Sequence, residues 1–387
     1  MQPSIMLGSS MWAQDRLPQD EFALRLDDLR AAMDRQGWPS VLVYGDAREH
    51  AALAFLSNFI PRMRWGMALL PRTGEARLLC AMGTRDLLAM RAMTWIADVH
   101  SGWGPEWEKA FDPWIAQFLG ERTVELGTLG FDLMAPALHE QVRRSLGDRF
   151  RLQRADDILA IPGSRKRPRE LMMLRASCKV LEAATKAFAD SWCNSQEPES
   201  AALDAEHVAR SLAAQDVRTL ISLDGGRTLV PYQGRFEKSA APLVGYIAVK
   251  VLGYWADMFI TVDDRSATPA SRHAEAALDA LIANVRPGAR SGEIYANAIA
   301  ALQPFTLHPV LGASVGHGIG LSLHEAPEFR AAGETALVED GVYALQVGVA
   351  AAESGQAKSD HVLISAIARN TAKGAEVLAR SPAIAAA

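Results

Sequence analysis

Two short segments hold most of the residue types that could do chemistry. The first, VGHGIGLSLHEAPEF (Val315 to Phe329), sets His317 and His324 seven residues apart, places Glu325 after the second, and surrounds the first with glycines. Histidine changes charge near neutral pH, so two of them with a carboxylate suit proton transfer, anion stabilisation or metal binding. In a regular strand this odd spacing sends the two rings to opposite faces, because side chains alternate. Gly316, Gly318 and Gly320 favour irregular backbone, which lifts that restriction. A structural, hydrogen-bonded histidine is the alternative for either ring. The second segment, GYWADMFIT (Gly253 to Thr261), places Asp257 in an apolar and aromatic run of strand character. A carboxylate is costly to bury there without a partner, a metal or a proton. It reads as a functional acid or base, or else as a strand-end aspartate held by backbone donors.

The surrounding pattern supplies elements to position these groups. Asp20 to Trp38 has helical apolar spacing at Phe22, Leu26, Leu29 and Met33 and closes at Gly37. SVLVYG (Ser40 to Gly45) reads as a buried strand, AREHAALAFLSN as a helix, and WGMALLPRTGEARLLCA as two strands about the turn PRTGE. TLGFDL (Thr128 to Leu133) is a further strand and PALHEQVRRSL a further helix, so residues up to about 155 form a small α/β domain. Pro162, Gly163 and Pro168 break the pattern and mark a boundary. Beyond it come the helices LMMLRASCKVLEAATKAFADSW and ALDAEHVARSLAAQ, then strands in VRTLISLDGG, APLVGYIAVKVLGYWADMFITV and VYALQVGVA. Helices are also expected at Ala270 to Ala283 and Gly292 to Leu302. The second half is therefore α+β, with helices on a curved, mostly antiparallel sheet.

Composition excludes some functions. The 387-residue chain is 49% hydrophobic and 22% charged, which is ordinary globular composition with length for two cores. A formal net charge of −5 provides no basic field, so no nucleic-acid partner is expected. RKRPRE (Arg165 to Glu170) reads as a solvated linker or helix start. Cys80, Cys178 and Cys193 lack metal spacing and suit reduced thiols in a cytoplasmic protein. No signal-peptide pattern and no run of about 20 apolar residues is present, so no membrane association is expected. The tail SPAIAAA reads as a frayed end.

GHGIGLSLHEAP, preceded by GYWADMFIT, resembles the pita-bread family of creatinase, aminopeptidase P, prolidase and methionine aminopeptidase. Three other segments carry the resemblance further. YGDAREHAALAFLSNFIPRMRWGMALLP is similar to the small N-terminal domain of the larger members. SRKRPRELMMLRAS resembles the segment that opens their catalytic domain, and RPGARSGEI (Arg286 to Ile294) is another family segment. The resemblance spans about residues 20 to 370. It implies a small α/β creatinase-type N-terminal domain over residues 1–160 and a C-terminal pita-bread domain over residues 161–387.

The family's metallopeptidases hold two divalent ions with two Asp, one His and two Glu. Carried over residue by residue, the second Asp is Asp257 and the His is His317. The first Asp falls eleven residues earlier, at Tyr246, and the two Glu fall at Gln346 and Ser359. The arginine usual after the second Asp is Ile260, and a further family histidine falls at Tyr232. Tyr, Gln and Ser do not supply the carboxylates that balance two dications. Asp257 and His317 alone are fewer than the three protein ligands usual at a catalytic zinc. The resemblance so read implies no metal, no other cofactor and no peptidase activity of the family's usual kind. Creatinase itself is a metal-free member, but its catalytic histidine falls at Tyr232 and its substrate-holding glutamates at about Phe259 and Gln346. A guanidinium substrate thus loses its carboxylate grip.

The expectation is a metal-independent, creatinase-like enzyme acting on a small carboxylate-bearing metabolite by acid–base hydrolysis of a C–N bond or by elimination. Asp257, His317, His324, Tyr232 and Tyr246 are the candidate catalytic residues. Gln346, Arg62, Arg64, Trp255, Glu325 and Ser359 are the candidate substrate contacts. A surface role is the alternative for Arg62 and Arg64, and core packing is the alternative for Trp65 and Trp255. Arg227 and Arg235 are weaker candidates to hold a carboxylate. The resemblance also implies a homodimer whose N-terminal domain closes over the neighbour's pocket. Two other functions stay open: a metal-dependent Xaa-Pro peptidase with a depleted site, and a non-catalytic binding protein that keeps the fold.

Overall fold

The apolar spacing from Phe22 to Met33 produces helix α1 (Gln19–Gln36), with Phe22, Leu26, Leu29 and Met33 all buried. The computed structural model describes residues 9–102, 123–160, 164–232, 234, 242–263, 268–350 and 361–381. Pro162, Gly163 and most of the SPAIAAA tail lie outside them. The chain divides into two units, Met1–Gly163 and Ser164–Ala387. After α1 the first unit contains β1 (Ser40–Asp46), α2 (Ala51–Ser57), β2 (Trp65–Pro71), β3 (Arg77–Cys80), α3 (Leu87–Ala92), β4 (Asp98–Ser101), β5 (Val124–Leu129), α4 (Pro136–Leu146) and β6 (Phe150–Arg154). Its sheet runs β4-β3-β2-β1-β5-β6 and mixes parallel and antiparallel pairs. The strand expected through Leu133 ends at Leu129. The Asp156 carboxylate accepts the Gly130 N–H at 2.9 Å, and residues 131–133 turn as a 3-10 segment.

The second unit opens on α5 (Pro168–Ser195). Pro168 occupies the first turn, where its missing N–H costs nothing, and the Glu170 carboxylate accepts the Arg167 N–H at 3.1 Å. Leu174, Cys178, Leu181 and Phe188 form its buried stripe. There follow α6 (Pro198–Ser211), β7 (Asp216–Ser222), β8 (Val230–Pro231), β9 (Leu243–Val251), β10 (Tyr254–Val262), α7 (Pro269–Asn284) and α8 (Ser291–Leu302). Then come β11 (Thr306–Leu307), β12 (Gly316–Gly318), β13 (Glu325–Glu328), β14 (Val342–Ala350), β15 (Val362–Thr371) and β16 (Gly374–Arg380). Instead of one sheet there are two, both antiparallel. One runs β10-β9-β7-β8; the other runs β13-β12-β14-β15-β16, with β11 on β14.

Side chains latch the two sheets together. Ser365 Oγ accepts the Phe259 N–H at 2.9 Å, and Thr261 Oγ1 both donates to the Leu363 carbonyl (2.9 Å) and accepts the Leu363 N–H (2.8 Å). Period-two alternation then sorts the faces. Leu345, Val347 and Val349 of β14 join Ala274, Leu278 and Leu281 of α7 in one core, which turns Gln346 to the opposite face. On β10, Tyr254 reaches Glu170 of α5 at 3.0 Å and Ile260 lies close to Gly245, against which Phe188 packs. Asp257 and Phe259 consequently face away from α5. Among the described residues no helix is long and apolar enough to cross a membrane.

His308, between β11 and β12, is fully buried and uses both ring nitrogens. Nδ1 accepts the Val310 N–H at 3.2 Å, and Nε2 donates to the Gly225 carbonyl at 3.0 Å. Burial pushes its pKa down to about 4; the charges of His361 and Arg227 add to this and the Gly225 carbonyl opposes it. A depressed pKa stabilises the fold above the unfolded value near 6.5 and loses that contribution as pH falls toward 4. The loss predicted between these limits is about 3 kcal/mol. Urea unfolding at pH 7 and pH 4.5 should therefore show a steeper fall for the wild type than for His308→Gln, which pairs without titrating; equal slopes would count against it.

Candidate active site

GHGIGLSLHEAP forms a hairpin with the irregular backbone that its glycines favour. β12 pairs with both β13 and β14, and its register with β13 shifts between His317 and Gly318. Gly316 adopts φ 149°, where a Cβ would stand 2.3 Å from the Ala344 carbonyl oxygen. A Cβ on Gly320 would meet the Glu325 carboxylate at 2.6 Å. The hairpin brings His324 back over His317, and the rings stack with centroids 3.8 Å apart at 22°.

Beneath this stack lies Asp257, with 0% exposure. Its Oδ2 accepts hydrogen bonds from Tyr246 Oη and from Gln346 Nε2, both at 3.1 Å. His317 Nε2 stands 3.6 Å from the same oxygen and 3.4 Å from Gln346 Nε2. Asp257 Oδ1 is buried and accepts no hydrogen bond among the described residues. His317 Nδ1 lies 2.9 Å from the Gly318 carbonyl, an acceptor, so Nδ1 carries a proton and Nε2 is the nitrogen that exchanges one on the Asp257 side. Tyr246, Asp257, His317, His324 and Gln346 thus come together from β9, β10, the β12–β13 hairpin and β14.

Environment pushes the pKa values of these groups apart. Burial disfavours a charged His317, but the Asp257 carboxylate and the Gly318 carbonyl outweigh it and hold the pKa above the usual value. Burial and the neighbouring His317 push His324 below it. Burial and Asp257 raise the Tyr246 phenol well above its ordinary value, so Tyr246 stays a donor. The pair therefore divides into one imidazole that takes a proton readily and one that resists it, which is the pattern of separated acid and base roles.

The remaining candidates lie elsewhere or have other partners. Glu325 binds Lys166 Nζ at 2.5 Å and accepts the Ser322 N–H at 3.2 Å, so its carboxylate joins the hairpin to the start of the second unit. Tyr232 follows β8 with 41% exposure. Arg227 Nη2 lies 3.3 Å from His361 Nε2. Arg62 and Arg64 belong to the first unit, where Arg64 Nη1 donates to the Ala81 carbonyl at 3.2 Å. Trp65 packs against Tyr44 in that unit's core. Ser359 and Arg235 lie outside the described residues. Trp255 is buried, with the Arg218 guanidinium 4.5 Å and the Lys250 ammonium 4.9 Å from its ring centroid. Sequence reading missed Arg218, because its face is set by register across three strands.

The donor set does not fit the two metal ions of the pita-bread peptidases. Tyr246 and Gln346 turn hydrogens toward Asp257 where carboxylate lone pairs would be needed. Among the described residues no three His, Cys, Asp or Glu side chains are grouped to hold an ion.

Residues 173–366 match the model of metallopeptidase family M24, which is half of the chain. The chain belongs to family M24. No curated protein matches this M24 chain. Solved structures do. Prolidase from Pyrococcus horikoshii OT3 is 16% identical with a TM-score of 0.75, covering 93% of this chain and 99% of its own. Xaa-Pro dipeptidase from Bacillus anthracis is 18% identical with a TM-score of 0.72, covering 93% and 98%. The N-terminal domain of FACT complex subunit SPT16 from Cicer arietinum (chickpea) is 14% identical with a TM-score of 0.69, covering 93% and 96%. The M24 match and these likenesses bear out the pita-bread fold expected from the GHGIGLSLHEAP and GYWADMFIT segments.

Gln346→Glu would place a second carboxylate beside Asp257. It would replace the amide donor with an acceptor 3.1 Å from Asp257 Oδ2. Two buried carboxylates at that distance repel, so the variant should lose about 3 kcal/mol near pH 8. The introduced group would have a raised pKa, so stability should return as pH falls. Denaturant titration across pH checks this; an unchanged midpoint at pH 8 would contradict it.

Proposed function

We propose that the chain is a metal-independent hydrolase of creatinase type that cleaves a C–N bond in a small, carboxylate-bearing metabolite. One observation carries this reading: a wholly buried Asp257 has one oxygen held by Tyr246 and Gln346 and the other without a hydrogen-bond partner among the described residues. Asp257 Oδ1 takes a proton from water as the water oxygen bonds to the substrate carbon. The C–N bond breaks, and the proton on His317 Nε2 passes to the leaving nitrogen. After product leaves, a water carries the proton from Asp257 Oδ1 back to His317 Nε2, restoring both groups. Tyr246 stays protonated and holds Asp257 in place, while His324, held neutral, orients the substrate. Hydrolysis is preferred to elimination because the chain belongs to a metallopeptidase family. A homodimer in which Arg62 or Arg64 approaches the pocket, a cytoplasmic setting for the three free cysteines, and no nucleic-acid or membrane partner belong to the same reading.

Two observations favour other readings. The prolidase and Xaa-Pro dipeptidase likenesses favour a metal-dependent peptidase, and the donor set opposes it. The likeness to a domain of a subunit of the FACT complex suits a binding role, and the polar constellation around Asp257 opposes that. Screening small carboxylates that carry a hydrolysable C–N bond, with cleavage followed by NMR, separates the three. Turnover should survive exhaustive chelation and fall about a hundred- to ten-thousand-fold in Asp257→Asn. Loss of turnover on chelation, with two tightly bound ions per chain in the untreated protein, would establish the peptidase reading instead.

A further inference from the structure

Arg218 shares one register row with Asp257. On β7 it lies opposite Ala248 of β9, and Ala248 lies opposite Asp257 of β10. Residues directly across an antiparallel ladder share a face, so Arg218, Ala248 and Asp257 all look to one side. Two strand spacings put the Arg218 and Asp257 backbones roughly 10 Å apart. On the sheet, Ala248 is the residue between them. The next same-face residues are Asp216, Lys250 and Trp255 on one side of this row, and Leu220, Tyr246 and Phe259 on the other. The row thus has a small residue at its middle, an aromatic ring on either side, an exposed guanidinium at one end and a buried carboxylate at the other.

Both ends have unused hydrogen-bonding capacity. Asp257 Oδ1 is buried and without a hydrogen-bond partner among the described residues. Arg218 is exposed, and among the described residues no carboxylate pairs with it. Its guanidinium lies 4.5 Å from the Trp255 ring centroid. That cation–π contact holds the group in place and engages no N–H, so the donor fork is left for a planar anion. The Arg218 charge also reaches the Asp257 end of the row, where it counters the upward push on the Tyr246 phenol.

We propose that Arg218, stacked on Trp255, is the anchor for the substrate carboxylate, and that the ligand of this face is a small organic anion lying over Ala248 with its reacting bond at Asp257. The proposal rests on the acid–base reading of Asp257 and gives its substrate a fixed direction. It moves carboxylate recognition from Arg62 and Arg64 to a residue of the catalytic unit itself.

Propionate and its neutral isostere propionamide serve as probes on the full chain, with tryptophan fluorescence as the readout and Trp255→Phe identifying the responding indole. Propionate should give a saturable signal and propionamide none. Arg218→Gln should weaken propionate binding at least about tenfold, the loss expected for a charge-assisted bidentate contact. Arg218→Lys, which keeps the charge without the fork, should recover part of it. Asp257→Asn should bind propionate at least as well as the wild type. Equal responses to the two probes, or unchanged propionate binding in Arg218→Gln, would overturn the anchor even if Asp257 proves essential for turnover. Arg218-dependent binding together with full turnover in Asp257→Asn would leave the anchor standing and remove the acid–base reading instead.

Discussion

The second unit is organised around the burial of one carboxylate. Asp257 has no solvent exposure, and an ionised carboxylate in such a place is tolerated only with partners. Tyr246 and Gln346 donate to one oxygen, and His317 stands beside it with a raised pKa. Each partner comes from a different part of the chain. Correct placement of β9, the β12 hairpin and β14 is therefore a condition for burying the charge as well as for any chemistry. The other oxygen has no such support, and that asymmetry makes the cluster a candidate for work on a ligand.

Placement in turn depends on the latch between β10 and β15. The hydrogen bonds of Ser365 and Thr261 join the two sheets through side chains. Gln346 lies opposite Ser365 in the β14–β15 register, so the latch that fixes Phe259 also sets where the Gln346 amide can reach. The close backbone approach at Gly316 holds β12 against β14 and carries His317 with it.

Much of this was legible in the sequence wherever a local signal had a local cause. Period-three and period-four apolar spacing marked α1, and α4 forms over Pro136–Leu146 as its segment PALHEQVRRSL reads. Asp257 stood out because a carboxylate is costly in an apolar run, His317 because it shares a Gly-rich segment with His324 and Glu325, and the family resemblance pointed to Tyr246 and Gln346. Pairings over long separation were not legible. Glu325 finds Lys166 from 159 residues away, which gives it a structural partner where a substrate contact was expected. The single sheet expected in the second half is two, because β10 and β15 meet through the side chains of Ser365 and Thr261 and not through a backbone ladder, which local strand patterns do not reveal. Arg218 gave no signal at all: alternation within β7 says that it shares a face with Leu220, but only the register through β9 says that this is the face of Asp257.

In the proposed mechanism Asp257 and His317 exchange a proton without a metal between them. NMR titration of the His317 ring in the metal-stripped protein tests this. The midpoint should lie above 6.5, the ordinary histidine value, and fall when Asp257 is replaced by Asn. A midpoint at or below that value, or one indifferent to the Asp257 substitution, would contradict it.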